Sequence, residues 1–319
     1  MEFSLLIDNL TNPALLFFFL GIIAVKLKSD LEIPPNSSKF ISLYLLFSIG
    51  FKGGQELAHS GINVEIMWSI LFGVALAILT PVYSFFILKK KLGVENSGAI
   101  AAAYGSVSAV TFVTAVSYLE LHKIDFGGHM VAVMALMEAP SIIIGVLLID
   151  FFKQQGNSNT SFKKVLHHAL TNGSVLLIMG SLIIGFLASN AQAQGIKPFT
   201  TDIFKGFLAV FLLDMGIVCG RKLTDLYNYG PFPLIFAILI PAINGIIVAF
   251  CSAMVTNNLG NRFLLTILAS SASYIAVPAA MKLAAPKANP GLYVPMALAI
   301  TFPFNITLGM PIYLAILTA

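Results

Sequence analysis

From Pro13 to Leu317 the chain is one apolar run after another, each ended by a polar or charged break. A bilayer core takes about 20 mostly apolar residues per helix. Lipid offers no partner to free backbone groups, so such runs cross as helices. Ten runs fit: Pro13–Leu27, Phe40–Leu57, Glu65–Leu88, Ser97–Leu119, Met130–Phe152, Gly173–Ala188, Phe204–Gly220, Pro231–Val255, Asn261–Met281 and Pro290–Leu317. Charged residues are 10% of the chain, against roughly 25% in a soluble domain, and the mean hydropathy is +0.91. The fold class expected is an all-α integral membrane protein. A net charge of +4 has no folded aqueous face on which to bind nucleic acid. Met1-Glu2-Phe3 lacks the basic region that opens a signal peptide, so no cleaved leader is expected. Cys219 and Cys251 fall in apolar runs and read as buried small hydrophobes rather than a disulfide or metal site.

The runs divide into two sets of five. Leu10-Thr11-Asn12 before the first run returns as Leu170-Thr171-Asn172 before the sixth. Ile49-Gly50-Phe51-Lys52-Gly53-Gly54 matches Met215-Gly216-Ile217-Val218-Cys219-Gly220, and Leu79-Thr80-Pro81 matches Leu239-Ile240-Pro241. Ser106-x-Ser108 matches Ser271-x-Ser273. Met134-Ala135-Leu136 with Pro140 matches Met296-Ala297-Leu298 with Pro303. Because five is odd, the second set enters the membrane inverted. The units expected are residues 1–152, a polar connector at 153–169, and residues 170–319. Lys26, Lys28, Lys39, Lys89, Lys90, Lys91, Lys153, Lys163, Lys164, Arg221, Lys222, Lys282 and Lys287 fall on one side of this arrangement. Lys123, Lys197, Lys205 and Arg262 fall on the other. The positive-inside rule makes the first side cytoplasmic and both termini extracytoplasmic, in an inner (plasma) membrane. The sequon at Asn159-Thr160-Ser161 would then lie in the cytoplasm, out of reach of glycosylation.

Helices four and nine carry interruptions. Tyr104-Gly105-Ser106-Val107-Ser108-Ala109-Val110-Thr111 and Ala269-Ser270-Ser271-Ala272-Ser273-Tyr274 place small and hydroxyl residues at mid-run, about 165 residues apart. Paired breaks at matching positions point to the binding site of a secondary transporter. A helix restarting at mid-membrane presents unpaired N–H groups and partial positive charge, which suits an anion. Gly105, Ser106, Val107, Ser108 and Thr111 with Ser270, Ser271, Ala272 and Ser273 are therefore the candidate substrate-binding residues. The plainer reading of either break is close helix packing through small residues. The hydroxyls and carbonyls of the breaks also suit Na⁺, a hard cation.

Glu138 lies in mid-run in Ala135-Leu136-Met137-Glu138-Ala139-Pro140, where a carboxylate is costly and functional by default. Pro140 frees the Leu136 carbonyl one turn back. Glu138, Ser108, Ser273 and Asn305 form the candidate Na⁺ set; a protonated structural glutamate is the plainer alternative for Glu138. Lys52 and Asp214 are further intramembrane charges, in pseudo-equivalent runs; a salt bridge between them is the plain expectation, and substrate or gating roles are the alternative. Tyr104 and Tyr274 flank the breaks, as cavity lining or packing. His167 and His168 lack metal-ligand spacing partners, and no catalytic motif is present, so no enzyme activity and no cofactor beyond Na⁺ as coupling ion are expected.

At these residues the chain resembles the cyanobacterial sodium-dependent bicarbonate transporter family over nearly its whole length. The resemblance is carried by Ile49-Gly50-Phe51-Lys52-Gly53-Gly54, by Gly105-Ser106-Val107-Ser108-Ala109-Val110-Thr111 and by Leu136-Met137-Glu138-Ala139-Pro140. Ala269-Ser270-Ser271-Ala272-Ser273 and Ala288-Asn289-Pro290 carry the rest. The chain departs from the family at Ser273 and Glu138, where the family has Asp, and at Lys52 and Asp214, where it has a hydroxyl and an apolar residue. The resemblance implies a Na⁺-coupled bicarbonate symporter, a homotrimer, and a PII-like regulatory protein on the cytoplasmic face. Rival readings are a bile-acid/sodium symporter-like carrier of an organic anion, a Na⁺/H⁺ antiporter, and a non-transporting membrane sensor. The antiporter would place adjacent carboxylates at a break, and none is there.

Overall fold

The computed structural model describes residues 11–60, 63–153, 171, 173–226 and 229–319. Most of the polar connector lies outside them, with Ser158, the sequon at Asn159, Lys163, Lys164, His167 and His168; so do Leu10, Leu170 and Asn172 of the repeat match. The described residues contain helices and no strands.

Helices α1 (Pro13–Lys26), α2 (Pro35–Ser60) and α3 (Val64–Leu92) come first. The fourth run is two helices, α4 (Val94–Gly105) and α5 (Ala109–Leu121), followed by α6 (His129–Phe152). In the second half stand α7 (Gly173–Leu187), α8 (Asn190–Lys197), α9 (Phe204–Leu226) and α10 (Pro231–Cys251). The ninth run is again two helices, α11 (Leu259–Ser270) and α12 (Ala276–Ala284), and α13 is the helical run Pro290–Thr318. Among the described residues six stretches are long and apolar enough to cross a membrane, and α1, α7 and α11 are shorter apolar helices. The chain is a multi-pass membrane protein.

Local chemistry sets the ends. Asn12, Asn63, Asn258 and Asn289 each cap a helix by accepting a first-turn N–H. Gly93, at φ +77°, ends α3 in a conformation only glycine adopts freely. The sequence reading missed α8, which Ser189 and Gln192 start with a reciprocal capping box. It also took the last run as regular. The structure interrupts it with π turns at Met296–Thr301 and Asn305–Gly309, on either side of Pro303, whose missing N–H breaks the i to i−4 ladder.

Two helix pairs are held at backbone contact. Along α2 and α7, a Cβ on Gly50 would lie 2.7 Å from the Ile178 carbonyl, and one on Gly54 would strike the Leu182 carbonyl. Along α1 and α9, a Cβ on Gly216 would strike the Phe18 carbonyl and one on Gly21 the Leu213 carbonyl. Small residues drive helix association in lipid by letting backbones approach. The broken helices lie innermost, with Ile100, Ala103, Phe112, Leu264 and Ile267 fully buried. Outer helices carry the lipid-facing side chains, such as Trp68, Leu79, Ile243 and Phe250. Irregular backbone at membrane depth is thus enclosed in protein.

The ends of the bundle differ. At one, Lys89 lies over the Phe152 ring, Lys91 over Phe232, and Lys153 is 3.9 Å from Glu95. At the other, Glu65 accepts from Thr256 and from Asn261 (2.8 Å), and Gly127 N donates to Asn261 (2.6 Å). We call these the lysine-rich and lysine-poor ends.

Candidate functional site

The two breaks cross and are stitched together. Ser108 N donates to Ser271 Oγ (3.0 Å), and Ser273 N donates to the Ala103 carbonyl (2.8 Å). Each bond satisfies a backbone N–H that its own helix has given up. Ser108 caps α5 by accepting from Thr111 N (3.1 Å), and Ser273 Oγ accepts from Val277 N (3.4 Å) at the start of α12. Ser271 Oγ also donates to the Leu268 carbonyl, and Ser270 Oγ to the Ile267 carbonyl. Gly105 is required where it stands: a Cβ there would strike the Pro81 ring and Ser141 Oγ. Pro278 falls in the first turn of α12, where proline is well tolerated.

A small cavity adjoins this crossing. Its walls include Val107, Ser108, Ala109 and Val110 from the first break, and Ser273, Tyr274, Ile275 and Ala276 from the second. Both restarting helices therefore point their N-termini into one space. The first-turn N–H groups of Ala109, Val110 and Ala276 have no acceptor within their own helices. Glu138 lines the same cavity from α6, and Ser42, Leu45, Ser174 and Ile178 close it from α2 and α7.

The structure divides the sequence-predicted residues. Val107, Ser108, Ser273 and Glu138 come together at the cavity. Gly105, Ser106, Thr111, Ser270, Ser271 and Ala272 build the crossing without lining it. Asn305 is not in the wall either; its amide donates to the Ser270 carbonyl (2.7 Å). The side-chain oxygens Ser106 Oγ, Thr111 Oγ1 and Asn305 Oδ1 are buried without a hydrogen-bond partner among the described residues. Such atoms are few in native proteins and call for an ion or water. Tyr274 lines the cavity, whereas Tyr104 is packing: its hydroxyl pairs with Thr301 (2.8 Å) and its ring meets Phe236 edge-on.

Residues 13–318 match the model of the Na⁺-dependent bicarbonate transporter superfamily. The chain belongs to that superfamily. It is a family of transporters, not enzymes, as the sequence reading expected. Among curated proteins no match is found.

One expectation is corrected. Lys52 does not pair with Asp214. Its Nζ lies 2.6 Å from Glu120 Oε1, at the end of α5, and 5.7 Å from the centre of the Phe204 ring. Asp214, 5% exposed, accepts from Ser38 Oγ instead. The expected repeat put the two charges in matching helices, but the helix packing turns them toward different neighbours. Sequence reasoning also missed Ser42 and Ser174, whose hydroxyls sit early in their runs and carry no motif. It left Glu120 as the polar end of a run. Cys219 is buried, as expected, while Cys251 is only partly so; both are free thiols.

Proposed function

We propose that the protein is a Na⁺-coupled symporter that imports bicarbonate, taking the anion and the cation in the cavity at the crossed breaks. The observation that carries this reading is the convergence of two helix N-termini and Glu138 on one space. The N–H groups of Ala109, Val110 and Ala276 and the hydroxyls of Ser108 and Ser273 hold the anion. Glu138, with Ser108 and Ser273, holds Na⁺. Coupling follows from charge. Two like charges about 5 Å apart repel by about 3 kcal/mol at an effective dielectric of about 20. An anion beside bare Glu138 is therefore disfavoured, and so is an ionised Glu138 with no cation. Na⁺ between them removes both costs. Ser106, Thr111 and Asn305 supply a second group of unpaired hard oxygens at the crossing.

The same reading carries the architecture: ten membrane helices in two inverted five-helix repeats, residues 1–152 and 170–319. The matched glycine contacts support it, since α2 meets α7 through Gly50 and Ile178 as α9 meets α1 through Gly216 and Phe18. The lysine-rich end is placed in the cytoplasm of the inner membrane, with both termini outside. A homotrimer and a PII-like partner on the cytoplasmic face come from the family resemblance. The deciding experiment is uptake of labelled bicarbonate into proteoliposomes. Uptake that accumulates only with an inward Na⁺ gradient is expected; uptake indifferent to Na⁺ would overturn the coupling.

A further inference from the structure

Two cavities lie in succession along one seam. The first, at the breaks, is lined by Leu46 of α2, Val113 of α5 and Met134 of α6. The second is lined by Ile49 and Lys52 of α2, Val116 and Glu120 of α5, and Val131 of α6. On all three helices the second set is displaced toward the lysine-poor end. The layer between them is about one helical turn thick. It consists of Ile49, Val113, Val116, Val131 and Met134, all buried and apolar. The break cavity is thus sealed toward the lysine-poor end, and beyond the seal lies a polar vestibule.

The seal joins two separately packed groups. Helix α2 is locked to α7 by backbone contact at Gly50 and Gly54. Helix α5 belongs with the crossed breaks, through Ser108 and Ser271. An apolar layer between groups offers no directional contact to hold it shut. The ion pair Lys52–Glu120 does, spanning α2 and α5 at 2.6 Å just beyond the layer. Lys123, Glu56 and Asp125 also face this vestibule.

We propose that Lys52 and Glu120 form a latch that holds the lysine-poor end of the transport path closed. The latch opens when α5 moves against α2, and its making and breaking bias which end of the path is open. The two side chains are 31% and 28% exposed, so water screens the pair and its strength is that of a bias rather than a lock. A bias is what a reversible gate needs.

This inference rests on the reading of the protein as a transporter, and its test does not need transport. In the full-length protein in proteoliposomes, with Cys219 and Cys251 replaced by alanine, Val110→Cys reports access to the break cavity. A membrane-impermeant maleimide is applied from the lysine-poor side. Glu120→Gln and Lys52→Met should each raise the labelling rate about two- to fivefold, the range set by a part-exposed pair. The charge swap, Lys52→Glu with Glu120→Lys, should return it to the starting rate. Unchanged rates in both single variants would overturn the latch. So would a rate that stays raised in the swap, because the effect would then not depend on pairing. Absence of Na⁺-driven uptake by the native protein, with the labelling pattern as expected in the reporter variants, would count against the symport reading alone.

Discussion

Glu138 is the carboxylate that shares a cavity with both helix N-termini. The proposed role as Na⁺ ligand predicts that Glu138→Gln raises the Na⁺ concentration for half-maximal uptake, by about tenfold or more, without loss of folded protein. The loss of about 1.4 kcal/mol per decade is modest for a charged ligand. Because Lys52 is paired with Glu120, adding Lys52→Met should not restore Na⁺ dependence; restoration would overturn the assignment. The serines divide by what they touch. Ser108→Ala removes a cavity hydroxyl and the α5 cap, so bicarbonate affinity should fall about 5- to 150-fold, from about 1–3 kcal/mol. Ser271→Ala instead removes the acceptor of Ser108 N. It should lower the melting temperature as well as the affinity, and a melting temperature equal to that of the native protein would contradict its bridging role.

Among the helices, the tightest constraints are places where a side chain cannot fit. Gly105 sits against Pro81 and Ser141 where α4 ends at the break. Gly105→Ala should destabilise by about 1–3 kcal/mol, the usual cost of overpacking a filled core, read as a lowered melting temperature in detergent. The helix pairs give a matched test. Gly50→Leu in α2 and Gly216→Leu in α9 strike backbone on α7 and α1 respectively. Both should sharply reduce the yield of folded protein, while Gly180→Leu in α7, where a Cβ meets nothing within 4 Å, should not. These glycines were visible in the sequence as parts of the repeat. Their purpose was not, because a glycine in a membrane run signals close approach without naming the partner helix.

For the molecule as a whole, the gathering of Lys89, Lys91 and Lys153 at one end and of Lys52, Lys123 and Glu120 at the other defines the axis of transport. Lys287→Cys should react with impermeant reagent only from the cytoplasmic side, and Lys123→Cys only from outside. The opposite pattern would invert the orientation. The break cavity is closed toward Lys123 by the apolar layer.

The amino-acid sequence by itself determined the membrane class, the ten apolar runs, the family and the positions of both breaks. The family rests on a resemblance of motifs; the rest follows from local physics: bilayer thickness sets run length, caps set helix ends, and small hydroxyl residues at mid-run cannot continue a lipid-facing helix without cause. Only the tertiary structure decided which residues share a space. It brought Glu138, Ser108 and Ser273 to one cavity, left Asn305 at the back of the crossing, and paired Lys52 with Glu120 rather than Asp214. In a soluble helix the apolar stripe tells which face is buried. Here lipid and protein interior are equally apolar, so the sequence carries little record of which face meets which neighbour, and partners distant along the chain become known only when the helices pack.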